Sequence, residues 1–157
     1  MTVTRVTLGP HKKMCYVIVA TKNMKYRDGK SPIVYIGTTK NGAARMAQSA
    51  ADKADKVLEK RGVKRFHVRV LTFAPRSGVR QTWRKLERAL LLAFKGEYGE
   101  VPEFNKVGKG FRRKDDDFKY FNRDRLVRLL EAIKSDAPDG VPTKRRRRRR
   151  REKRAKV

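Results

Sequence analysis

Acidic residues, cysteine and long apolar runs are all scarce in this chain. Asp and Glu number 16 in 157 residues, against 43 Lys and Arg, and the formal net charge is +27. That imbalance argues against neutral metabolites as partners and for a polyanion, either nucleic acid or an anionic surface. The single cysteine, Cys15, excludes an internal disulfide and does not suggest a thiolate zinc site. It sits in an apolar run and reads as a small buried side chain. No apolar stretch approaches the ~20 residues that cross a bilayer. Met1 to Pro10 carries no apolar signal core. The expectation is a cytoplasmic or nucleoid-associated protein without membrane contact.

The basic charge has two locations. Residues 144–157 carry Lys144, the run Arg145, Arg146, Arg147, Arg148, Arg149, Arg150 and Arg151, then Lys153, Arg154 and Lys156, for a net +10. The rest of the chain is itself +17, with 32 basic and 15 acidic residues. A run of like charges with almost nothing apolar cannot fold alone. It is expected to act as an arm on the nucleic-acid backbone, its affinity falling steeply with salt. Because the body is basic as well, the folded surface is expected to meet phosphates too.

The organisation expected is a basic N-terminal segment (1–13), a compact domain (14–110), a helical extension (111–135), and a hinge with a disordered Arg-rich tail (136–157). MCYVIVA (14–20) and IVYIG (33–37) read as two strands of an antiparallel hairpin, joined by a polar turn holding Asp28-Gly29. Asn41 is placed to cap a helix running to about Arg61, its apolar stripe being Ala43, Met46, Ala47, Ala50, Ala54 and Leu58. FHVRVLTF (66–73) reads as a third strand. A second helix is expected from Val79 to about Phe94 and a last one from Asn122 to Ser135, with a long loop from Gly96 to Gly110 between them. The class is α/β (α+β): a small three-stranded antiparallel sheet flanked by helices, in β-β-α-β-α order, with an extra C-terminal helix.

Few side chains stand out for chemistry. Glu87 is an acid on a basic helix, flanked by Arg80, Arg84, Lys85 and Arg88. Its angle falls on the flank of the apolar stripe, where a carboxylate needs a cation, hydrogen-bond donors or a metal. A salt bridge within the helix satisfies the same need. Arg45 projects roughly opposite the alanine stripe of its helix, and Tyr16 and Tyr35 taken singly are ordinary strand aromatics. His11 and His67 fit packing or exposure better than catalysis. The acids Asp115 to Asp117 do not converge on one point and read as charge balance for Arg112, Arg113 and Lys114. Tyr98, Phe104, Phe111, Phe118, Tyr120 and Phe121 interleave with basic residues and suit either base stacking or packing of the last helix onto the domain.

The order of these residues says more than any one of them. Tyr16 closes Met14-Cys15-Tyr16, Tyr35 opens Tyr35-Ile36-Gly37, Arg45 follows in YIGTTKNGAAR, Glu87 lies in TWRKLERALLLAF, and Asn105 ends VPEFN. This series resembles the GIY-YIG endonuclease superfamily over about residues 14 to 110. The resemblance implies a DNA endonuclease that hydrolyses phosphodiester bonds with one Mg²⁺ or Mn²⁺ on Glu87. It further implies Tyr35 or Tyr16 as proton acceptor, Arg45 as neutraliser of phosphate charge, and Asn105 as a positioning group. DNA, with RNA as the other nucleic acid to test, is the implied partner, and no small-molecule cofactor is implied.

The chain departs from the family pattern at three places. The first-motif glycine is Met14. The linker between the tyrosines is lengthened by Asn23 to Pro32. The positions three after Tyr35 and four after Arg45, often basic or aromatic in the family, are Thr38 and Ser49. A proton shuttle or phosphate contact is then either missing or supplied elsewhere, by Lys40 or His67. The alternative reading is a non-catalytic nucleic-acid-binding or scaffolding protein that keeps the fold. A basic RNA-packaging or ribosome-associated protein is the third.

Overall fold

A computed structural model describes residues 12–60, 62–73, 78, 80–106 and 117–135. Strand β1 spans Met14–Tyr26, β2 Gly29–Thr39 and β3 Phe66–Leu71. Helix α1 spans Gly42–Leu58, α2 Thr82–Tyr98 and α3 Arg123–Ser135, with a 3-10 turn at Asp117–Lys119 before α3. The strands form one antiparallel sheet in the order β2-β1-β3. The architecture is α+β, as the hydrophobic patterning predicts. No helix among the described residues is long and apolar enough to cross a membrane.

The sheet is covered on both faces because β1 is apolar on both. Cys15, Val17 and Val19 face α2 and α3, while Tyr16, Ile18 and Ala20 face α1. A strand buried on both sides reads as a continuous apolar run, which is what MCYVIVA is. α2 brings Leu86, Leu90 and Phe94 to the first face, and α3 adds Leu126, Leu130 and Ile133. Asn122 caps α3, its Oδ1 accepting from the Arg125 backbone N–H at 3.0 Å.

Several boundaries differ from expectation. The polar stretch between the two apolar runs is not a long turn: both strands continue through it to a two-residue turn at Arg27-Asp28. Pairing slips twice there, from Ile18↔Tyr35 to Val19↔Ile33 and then to Met24↔Ser31. Pro32, which cannot donate to a ladder, falls in the second slip on an edge strand, where it is tolerated. The turn docks on the end of α2, Asp28 N–H donating to the Tyr98 carbonyl at 3.1 Å. Gly99 ends α2 at φ 77°, a left-handed conformation that favours glycine. α2 therefore ends four residues beyond Phe94, and Gly96 lies inside the helix. Its first residue is Thr82, since Gln81 takes a left-handed conformation (φ 55°).

α1 departs furthest. Asn41 makes no capping hydrogen bond with its side chain. Instead its own N–H donates to Thr39 Oγ1 at 3.0 Å, and Gly42 N–H donates to the Lys12 carbonyl at 2.8 Å. The helix ends at Leu58 rather than Arg61, which lies outside the described residues. Its inward face holds Ala50 and Val57, with Met46 and Lys53 half-buried, while Ala43, Ala47 and Leu58 are exposed, Leu58 by 43%. The face is thus rotated from the alanine stripe toward Ser49 and Lys53. Alanine is a weak guide to facing, because it neither gains much by burial nor loses much by exposure.

Candidate functional site

The candidate site forms where β1 begins and β2 ends. Register places Tyr16 opposite Gly37 and Cys15 opposite Thr38. The first pairing slip skips Val34, so Val34 and Tyr35 both lean toward α1. Tyr35 shares the face of Tyr16 by ordinary alternation, since its cross-strand partner is Ile18, and the one-residue bulge re-aims Val34 to the same face. The two rings lie 5.8 Å apart between centroids and are tilted by 44°. Tyr35 folds over Gly37: a Cβ there would stand 2.5 Å from Tyr35 Cε1 and 2.8 Å from its hydroxyl oxygen. The glycine of YIG is therefore required by the tyrosine two residues before it.

Asn105 fixes the outer edge of β2. Its Oδ1 accepts from the Ile36 N–H at 2.9 Å and its Nδ2 donates to the Ile36 carbonyl at 2.7 Å. Phe104 N–H adds a bond to the Val34 carbonyl at 3.0 Å. The amide thus mimics a neighbouring strand and holds the backbone on either side of Tyr35. With both ends on the backbone, it is a positioning residue.

Glu87 reaches the site from α2 on the opposite face of the sheet. It is half-buried, and its Oε2 accepts from the Thr38 hydroxyl at 3.0 Å. Burial raises its pKa above the usual carboxylate range, against smaller lowering effects of the Thr38 hydrogen bond and the nearby Arg84 charge. A salt bridge within the helix, the simplest expectation for this acid, is absent among the described residues. Cys15 is buried beside it, its thiol pushed up by burial and then by the Glu87 charge, which leaves it inert.

Tyr35 is linked to both sides. Burial raises its pKa first, and Tyr16, through its charge and a hydrogen bond, and then Glu87 raise it further. Tyr35 therefore keeps its proton at neutral pH. Acting as a base requires added positive charge close to its oxygen.

Two site residues escaped the sequence reading. Thr38 stands where an aromatic or basic residue was sought, yet it is the hydrogen-bond donor that orients Glu87. Strand alternation carries the signal, since Thr38 points away from Tyr35 and toward α2. Lys53 is the other: its ammonium lies 4.2 Å from the centroid of the Tyr35 ring. Burial lowers its pKa, Asp52 opposes that, and Lys56 and Arg45 reinforce it. Lys53 follows Arg45 and Ser49 at successive four-residue steps, which puts all three on one side of α1. Arg45 is exposed on the flank of the buried face, not opposite it.

The remaining expectations separate. Lys40 is exposed just after β2. His67 pairs with Val19 on β3, on the face toward α2 and α3, so it does not stand with the tyrosines. His11, Val79, Phe111, Asp115, Asp116 and the arginines 145–151 lie outside the described residues. Phe118 and Phe121 pack against the core, and Tyr120 carries the Lys85 ammonium at 3.8 Å from its ring centroid.

No cluster of three or more His, Cys, Asp or Glu occurs among the described residues. The donor set present is one carboxylate, with the Thr38 bond on Oε2 and Oε1 left over. That fits a hard divalent cation which keeps most of its water, and does not fit zinc. No protein-family model, no curated protein and no solved structure matches the chain.

Proposed function

We propose that this protein is a metal-dependent DNA endonuclease of the GIY-YIG type. The observation that carries the reading is the meeting of two unlike groups at one end of the sheet. A contacting tyrosine pair, with the Lys53 ammonium on the Tyr35 ring, lies within electrostatic reach of a half-buried carboxylate from α2. A binding surface for phosphate alone has no use for that carboxylate, which repels an anion unless a cation intervenes.

In phosphodiester hydrolysis, a water oxygen bonds to phosphorus, the P–O bond to one sugar breaks, and the water gives up a proton. Glu87 is the residue to hold Mg²⁺ or Mn²⁺, with Thr38 fixing its carboxylate. The bound ion supplies positive charge opposite the charge that develops on the phosphate and the leaving oxygen. Arg45 adds to that neutralisation from α1. Tyr35 would hold its hydroxyl beside the reacting phosphate; cations around it favour the phenolate, and that phenolate, or the one on Tyr16 beside it, would take the proton from the attacking water. Asn105 keeps Tyr35 in place through Ile36. Lys40 and the arginines 145–151 hold the DNA backbone.

The test is cleavage of plasmid and branched DNA by wild type and Glu87→Ala, with Mg²⁺, Mn²⁺ or chelator. Metal-dependent cutting that disappears in Glu87→Ala while DNA binding persists supports the reading. Cutting that survives the substitution contradicts it. The raised pKa of Tyr35 favours a second reading, a nucleic-acid-binding protein of the same fold without catalysis. Tight binding without cutting on every substrate, DNA or RNA, would select it. Deleting residues 144–157 is expected to weaken DNA binding and flatten its dependence on salt, measured by titration at several ionic strengths.

A further inference from the structure

Lys53 has no role in the sequence pattern that points to a nuclease, yet α1 turns it inward. The inward face of α1 reads Met46, Ala50, Lys53 and Val57. Three of these pack on the sheet. The fourth is a cation, half-buried, on the face of the Tyr35 ring at 4.2 Å from its centroid. Among the described residues no carboxylate pairs with it at salt-bridge distance. Its nearest acid by electrostatic effect is Asp52, the neighbour in sequence, while Arg45 and Lys56 add positive charge around it.

A partly desolvated ammonium beside other cations is costly unless an anion comes to it. The π-face of Tyr35 relieves only a part of that cost. The surface Lys60 shows the contrast: it too lies on an aromatic ring, Phe104, but is paired with Glu103.

We infer that Lys53, Arg45 and the Tyr35 hydroxyl form a binding site for one phosphate group, and that Lys53 is its principal cation. The inference rests on the proposed function only for naming that phosphate as the one whose ester bond is cut. An ammonium there neutralises a non-bridging oxygen and also adds the positive charge that Tyr35 lacks as a base. The same ligand chemistry comes from inorganic phosphate or from a nucleic-acid backbone, so the two are probed separately.

The experiment combines NMR of lysine and tyrosine side chains with cleavage kinetics, for wild type, Lys53→Gln and Lys53→Arg. Inorganic phosphate is titrated in salt high enough to screen exposed cations. The inference expects the Lys53 ammonium and Tyr35 ring signals of wild type to shift together with phosphate. The Tyr35 response is lost in Lys53→Gln and kept in Lys53→Arg, with all three proteins folded by circular dichroism. With DNA, kcat in Lys53→Gln falls by about 10²-fold, as for loss of one preorganised donor, and KM changes far less. An unchanged Tyr35 response in Lys53→Gln overturns the site, and an unchanged kcat overturns its naming as the site of the phosphate that is cut. If wild type cuts nothing but Lys53→Gln loses the phosphate response, the site stands and the nuclease reading falls.

Discussion

On the face of the sheet toward α2 and α3, the core holds sixteen buried residues; on the face toward α1 it holds seven. α2 alone buries eight side chains in seventeen residues, and α1, of equal length, buries two. The richer face is aliphatic and aromatic, with the rings of Tyr26, Phe94 and Tyr98 packed edge-on or tilted, their centroids within 5.9 Å of one another. The poorer face keeps a lysine and the two site tyrosines where a core would have leucines. Most of the buried core therefore lies on the α2/α3 face, and the candidate site lies at the edge of the α1 face, with one carboxylate reaching it from the other side. Regions of low apolar density are where a fold can hold polar groups ready for a ligand.

The largest break in that comparison is on the stable face. Phe94→Ala is expected to cost about 3–5 kcal/mol, since the fully buried ring touches both other aromatics. Chemical denaturation measures it, and Lys53→Gln under the same conditions is expected to cost far less. Next is Gly37→Ala, whose new Cβ must displace the Tyr35 ring. A loss of about 1–3 kcal/mol should accompany a fall in cutting, read from melting and cleavage together. Asn105→Ala leaves the Ile36 N–H and carbonyl without their side-chain partner. A cost of about 1–3 kcal/mol is expected, with faster amide exchange along β2 around Ile36. The smallest effect is at Lys60 and Glu103, a partly exposed pair. Its double-mutant cycle should give about 0–1 kcal/mol.

Much of the architecture was legible in the sequence because β1 opens on a continuous apolar run and α2 and α3 carry clear helical periodicity. MCYVIVA lies in a strand buried on both faces, and Leu126, Leu130 and Ile133 are the buried face of α3. What misled were residues whose burial carries little energy or whose pairing is not local. The alanines of α1 left its orientation undetermined within half a turn, which hid Lys53. Asn41 looked like a helix cap but does not act as one, because Thr39 and Lys12 already take the nearby N–H groups. The turn between the tyrosines looked long because its residues are polar, yet they pair. Within the site, Tyr16, Tyr35 and Asn105 were legible as a series, and the structure brings them to one place. The roles of Thr38 and Asn105 depend on contacts across 49 and 69 residues of chain, which no local pattern carries.

Glu87 joins the two faces, so its linkage to folding decides the account. Its carboxyl is raised by burial in the folded protein. For such a group, the stabilising contribution is complete below its unfolded pKa and is lost as pH rises through the folded one. At pH 7, above the unfolded pKa, Glu87 therefore works against folding, and Glu87→Gln, which can still accept the Thr38 hydrogen bond, removes that cost. The direct measurement is thermal melting and Mg²⁺-dependent DNA cleavage of wild type and Glu87→Gln at pH 7, with melting repeated at pH 4. The account predicts that Glu87→Gln melts higher at pH 7, loses that advantage at pH 4, and does not cut. A variant that cuts like wild type, or one that melts lower at pH 7, would contradict it.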